Sequence, residues 1–164
     1  MEQIENRSRR SAPLVSVPGG GDFTSLYERE YVAAVRLAYL LCSNQETARD
    51  IAQDAFVGLH RKWNDVDDPR AYLRRSIVNG SNSWLRRRRT RDRTALPVPD
   101  DVVQDADELS DVLGGLPHRQ RAAVILRFHH QCTHDEIAVA LGCRPGTVGS
   151  LLSRALTRLR KELS

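Results

Sequence analysis

The chain has 164 residues, a hydrophobic fraction of 40% and a net charge of +4, with a pI near 9.3. This is enough for one ordinary domain or two small helical ones, it does not demand a large enzyme, and the basic balance points to an acidic partner. Cys42, Cys132 and Cys143 form no C-x-x-C pair, and no histidine stands at zinc-finger spacing. Neither a disulfide framework nor a metal site is suggested, and a reduced, cytoplasmic setting is expected. His129, His130 and His134 lie near Cys132 in sequence, but adjacent positions on a helix point apart. No stretch is apolar for long enough to span a bilayer, so no membrane insertion is expected.

Residues 1–22, with Pro13, Pro18 and the run Gly19, Gly20, Gly21, read as a disordered tail. From Phe23 the apolar residues Leu26, Tyr27, Tyr31, Ala34, Leu37, Ala38 and Leu41 recur at helical spacing. Ser43 and Glu46 then form an S-x-x-E capping box. Behind it Ala48, Ile51, Ala52, Ala55, Phe56 and Leu59 make the stripe of a second helix ending around Trp63. Asp68 followed by Pro69 is an N-cap and first-turn pair for a third helix. Its inward residues are Tyr72, Leu73, Ile77, Gly80 and Trp84, and its outside is loaded with arginines.

The composition swings to Pro97, Pro99 and a set of aspartates over 94–106, which reads as a flexible acidic linker separating two compact pieces, 23–93 and 107–164. In the second piece Leu109, Val112, Leu113 and Leu116 suggest a short helix. Pro117 begins another, with Ala122, Ile125, Leu126 and Phe128 inward. Thr133 and Glu136 form a capping box, Gly142 suits a left-handed turn, and Pro145 opens a last helix with Val148, Leu151, Leu152, Ala155, Leu156, Leu159 and Leu163 inward. Two short helices around a tight turn form a helix-turn-helix, whose second helix enters a major groove. Ser150, Ser153 and Arg154 are candidates for base edges; Arg144, Thr147 and Arg158 for phosphates, with Arg119 and Arg121 adding to that grip.

A helix-turn-helix alone does not choose among regulators. The segments DIAQDAFVGLHRKW, PRAYLRRSIVNGSNSWLRRRR and LPHRQRAAVILRFHHQCTHDEIAVALGCRPGTVGSLLSRALTRLRKEL, in that order, resemble the extracytoplasmic-function sigma factors of bacterial RNA polymerase, within the sigma-70 family, and resemble the actinobacterial SigE-like group among them. The resemblance spans roughly Phe23 to Leu163. It implies an all-α chain of two small helical domains, region 2 and region 4. It also implies that Asp50, Gln53, Asp54 and Arg61 meet core RNA polymerase. Arg74, Arg75, Asn79, Asn82, Arg86 and Arg87 would meet the minus-ten promoter element, Asn79 lining the pocket for an unstacked base. The helix-turn-helix would read the minus-thirty-five element, and an anti-sigma factor is a further implied partner. An amide for a base edge and arginines for opened strands fit those tasks physically. Gly149 stands where many relatives carry a cation, at a helix cost of about 1 kcal/mol. No nucleophile with its base, acid pair or phosphate loop suggests an enzyme or a cofactor. The alternative is a stand-alone helix-turn-helix repressor or activator binding a palindromic site as a dimer.

Overall fold

A computed structural model of the protein describes residues 22–94 and 108–164; the expected tail, apart from Asp22, and the expected linker, apart from Thr94, lie outside the described residues. Every element in those residues is helical: α1 (Phe23–Cys42), α2 (Gln45–Arg61), α3 (Pro69–Thr94), α4 (Glu108–Gly114), α5 (His118–Val124), α6 (His134–Leu141) and α7 (Pro145–Glu162). A π-helical turn, Ile125–His129, extends α5.

Polar caps fix the first three helices. Asp22 accepts a hydrogen bond from the Ser25 amide at 2.7 Å, and Asp68 from the Ala71 amide at 3.1 Å. The capping box expected from Ser43 and Glu46 does not form. Asn44 is the N-cap of α2, accepting from Thr47 N at 2.9 Å. An asparagine is as good an N-cap as a serine, and Ser43 is taken up elsewhere: it ends α1 in the left-handed conformation, at φ 58°. Leu37, Leu40, Leu41, Phe56, Leu59 and Ile77 are then almost fully buried where α1, α2 and α3 meet. At Gly58 a Cβ would lie 2.7 Å from the Tyr72 hydroxyl, so glycine there leaves room for the end of the Tyr72 side chain.

The second piece gathers Ile125, Leu126, Ile137, Val148 and Ala155. The π turn changes what its neighbours face. His130 N donates to Ile125 O, an i to i+5 bond. The extra residue rotates the side chains that follow by about 100°. Phe128, expected inward, is 61% exposed, and Leu163, beyond the last packed turn of α7, is also exposed.

The two pieces touch. α3 packs on α6, and α1 on α4 and α5. Ser43 Oγ lies 2.9 Å from Ser110 Oγ and accepts a hydrogen bond from Arg121 at 2.8 Å. Ser81 Oγ lies 3.0 Å from His118 Nε2. Among the described residues the buried polar side chains are Ser81, Ser110 and Arg121, and all three sit on this seam.

Candidate polymerase and promoter surfaces

On α2 the apolar residues Ile51, Ala52, Ala55, Phe56 and Leu59 turn inward, which leaves Asp50, Gln53, Asp54 and Arg61 exposed on the other side, with the exposed Val57 among them. Their three- and four-residue spacing brings them onto one face. Gln53 accepts a long hydrogen bond from the Tyr27 hydroxyl, which ties this face to α1. The face mixes acids, an amide and a cation around one aliphatic side chain.

On α3, Arg75, Asn79, Asn82 and Arg86 recur four, three and four apart, forming one stripe. Arg75, Asn79, Arg86 and Arg87 are exposed and Asn82 is half-buried. Arg86 and Arg87 border an open concavity with Ser83, Thr90 and Arg91. Trp84 is half-buried against the core, and the Arg88 guanidinium lies 5.3 Å from its ring centre. Arg74 behaves differently from its neighbours. Its side chain is only 16% exposed and turns toward the second piece, where Glu136 Oε1 is 4.0 Å away. Its Nε has no hydrogen-bond partner among the described residues.

The helix-turn-helix forms as its residue types dictate. Thr133 N donates to Glu136 Oε2 at 2.7 Å and Glu136 N to Thr133 Oγ1 at 3.2 Å, closing the capping box. Gly142 turns the chain at φ 63°, and Cys143 N returns to Ala138 O. Pro145 occupies the first turn of α7. Val148, Leu151, Leu152 and Ala155 are buried, which leaves Arg144, Thr147, Ser150, Ser153, Arg154 and Arg158 exposed. Ser150 donates to Gly146 O at 3.4 Å, a weak bond that a base edge can replace. Nothing lies within 4 Å of a Cβ placed on Gly149, so packing does not require glycine there.

Arg121, expected to add to a phosphate grip, is buried in the seam instead, because a side chain at that position of α5 points at α1. Burial lowers the pKa of its guanidinium, and its Nε finds no partner among the described residues. Burial also pushes His118 down to about 4, aided by the charges of Arg121, Arg89 and Arg119. His130 goes down to about 4 for the same first reason, then through His129 and Arg74. A neutral imidazole is therefore what the seam holds near pH 7. The sequence marked Ser43 only as a helix-start residue and did not mark Ser81, Ser110 or His118 at all. Their signal was faint: Ser81 stands one turn after Ile77, a small polar residue on an apolar stripe.

A helical platform followed by a helix-turn-helix, with cations exposed on both, defines a transcription protein of the helix-turn-helix class. Residues 26–91 match the family description Sigma-70 region 2, and residues 106–159 match Sigma-70, region 4. The chain is 38% identical over 141 residues to a protein of Streptomyces avermitilis described as RNA polymerase sigma-E factor, covering 80% of this chain and 79% of that one. It is 32% identical to the ECF RNA polymerase sigma factor SigM of Mycobacterium tuberculosis, over 94% and 85% of the two chains. Among solved structures, the sigma factor RpoE in complex with the anti-sigma factor NepR from Bartonella quintana superposes with a TM-score of 0.72 at 25% identity, over 86% of this chain and 96% of that one. CnrH in complex with the cytosolic domain of CnrY gives 0.67 at 25% identity, over 86% of each. The chain belongs to the sigma-70 family of RNA polymerase sigma factors. No helix among the described residues is long and apolar enough to cross a membrane.

Proposed function

We propose that this sigma factor docks on core RNA polymerase through the α2 face of Asp50, Gln53, Asp54 and Arg61, meets the minus-ten element along α3, and reads the minus-thirty-five element with α7. The catalytic chemistry belongs to the polymerase, and the chain works in the cytoplasm, where polymerase is. On α3 the stripe of Arg75, Asn79, Asn82 and Arg86 puts two amides between two guanidinium groups. Amides pair with the edge of an unstacked base, and the guanidinium groups hold the strand's phosphates. On α7 the short polar side chains Ser150 and Ser153 let the helix sink into the groove, and Arg154 is long enough for a bidentate bond to guanine. Arg144, Thr147 and Arg158 flank them for phosphates. Each contact alone is weak; one chain carrying both gains by effective concentration. An anti-sigma factor is the partner of the Bartonella quintana relative named above, and a protein of that kind is proposed for this chain as well.

The observation that carries this reading is the separation of faces on α2: an apolar side committed to the core and an exposed side of acids and an amide. The test is run-off transcription with purified bacterial core polymerase on a library of upstream sequences. Initiation from a defined motif only in the presence of the chain is expected. Charge reversal at Asp50 and Asp54 is expected to abolish that initiation without loss of helical content; undiminished transcription by the folded variant would refute the docking face.

A further inference from the structure

Between α1 and α3 lies a cleft of about 260 Å³, with His130 from the turn that follows α5 in its wall. One water takes up about 30 Å³ of liquid, so the cleft has room for a molecule several times that size. Its floor is aliphatic, with Ala33 and Leu37 from α1 and Leu73 and Ile77 from α3. Its rim is polar, formed by Glu30, Arg70, Arg74 and His130. An apolar floor with a few convergent polar groups is the usual build of a small-molecule site.

The rim groups are unequally satisfied. Arg70 Nε donates to Glu30 at 2.8 Å, so that guanidinium and that carboxylate neutralise each other. Arg74 has no such bond. Its side chain is only 16% exposed, the Glu136 carboxylate it faces stands 4.0 Å off, and its Nε is buried without a hydrogen-bond partner among the described residues. His130 Nε2 is buried and unpartnered in the same sense. The imidazole is neutral near pH 7 and carries one N–H; with that proton on Nε2, two donors line one cleft, one of them charged.

Charge and shape then select the occupant. One uncompensated guanidinium calls for one negative charge, and a carboxylate accepts from two donors at once, one on each oxygen. A dianion such as phosphate would bring a second charge toward Glu30 and Glu136 and leave the aliphatic floor uncovered. We propose that the cleft is a binding site for a small monocarboxylate with a compact hydrocarbon body. Arg74 Nε and His130 Nε2 hold its carboxylate, and its body lies on Leu37, Leu73 and Ile77. The site joins α1 and α3 to the second piece, so its occupant touches both.

The test uses the full chain and benzoate, with benzamide and inorganic phosphate as comparison probes. Binding is read without polymerase or promoter, so it stands apart from the roles proposed for α2, α3 and α7. Calorimetry is expected to give saturable one-to-one binding of benzoate with a Kd on the order of 1 mM or tighter. Benzamide, the same shape without the charge, and phosphate are each expected to bind at least about tenfold more weakly. In methyl NMR spectra benzoate is expected to shift Leu37, Leu73 and Ile77. The His130 imidazole is expected to titrate higher with benzoate bound, since a carboxylate beside it favours the imidazolium. Glu30 from α1, Arg70 and Arg74 from α3, Glu136 from α6 and the adjacent His129 face that ring with or without the probe. Ala33→Leu fills the floor with a good helix former and leaves the charge unchanged, and should weaken binding at least about tenfold. Arg74→Lys keeps the charge but loses Nε, and the same fall is expected. Binding that survives either change in a folded chain, or methyl shifts away from the floor, overturns the site. Phosphate or benzamide binding as well as benzoate overturns the choice of a carboxylate. No saturation by about 10 mM benzoate leaves the cleft to water alone and overturns the proposal. Should both variants lose helical content, the methyl shifts of the wild-type chain decide the matter by themselves.

Discussion

The two helices assigned to DNA stand in different situations. On α7 every side chain proposed for the upstream element is exposed, and its apolar stripe is spent on its own small core. On α3 the stripe from Arg75 to Arg86 is open, but the Arg74 flank is covered by α6 and a buried serine lies under α5. The side chains proposed for the upstream element are thus all open to solvent as folded, whereas those proposed for the minus-ten element are open only on one side. What the difference teaches is that exposure belongs to an arrangement of regions as well as to a helix: α7 answers to local sequence, α3 to the partner packed on it.

The largest effect expected is on the ready side. Arg154→Ala should cost about 1–3 kcal/mol of discrimination at one base pair of the upstream element, if its guanidinium makes a bidentate base contact. Transcription from promoters varied at single positions reads this directly; an equal loss on all promoters would make Arg154 a phosphate contact. Next comes a change that touches both sides of the comparison. Thr133→Ala removes one half of the capping box, at about 1 kcal/mol. It should lower the thermal stability of α6, weaken upstream binding and lengthen the distance between the regions together. Loss of upstream binding with the seam unmoved would mean that α6 serves the helix-turn-helix alone.

The smallest effect expected is one of pH. His118 and His130 sit at about 4 when the regions are together, against an ordinary value of 6.5. Their folded values are depressed, so the open state takes up more protons as the solution is acidified. The contribution of these neutral imidazoles to the contact between the regions is fully present above the ordinary value and is lost as pH falls from 6.5 toward 4. Arg121, Arg89 and Arg119 around His118, and His129, Arg70 and Arg74 with Glu30 around His130, leave each imidazolium mostly among cations. The measurement is the interregion distance between pH 7.5 and 5.5, where gradual lengthening is expected. A distance constant across that range would show that neither imidazole must stay neutral for the regions to meet.

Much of the fold was legible because it is local. The Thr133 to Glu136 capping box, the left-handed Gly142 and Pro145 at the start of α7 are written within a few residues each, and all three form. Three-four spacing also marked the exposed side of α2 and of α7. Where the reading missed, the deciding partner was distant in sequence or the periodicity was interrupted. Ser43 satisfied a helix-start pattern, yet Asn44 caps as well and Ser43 is drawn toward Ser110 and Arg121. Phe128 fitted a 3.6-residue stripe until the π turn shifted the register. Arg121 read as one more surface cation, since no short-range pattern reveals that α1 lies against it. The meeting of the two regions was invisible for the same reason.

Ser43 adopts a backbone conformation that glycine occupies without strain, and it also carries the hydroxyl that receives Arg121. These two duties pull against each other. Ser43→Gly would relax the end of α1 and firm up the first region, while depriving the seam of its acceptor. Selection for heat resistance at this one position would therefore yield a sturdier first region held less firmly to the second, so local robustness and the grip between the two pieces are traded at a single side chain.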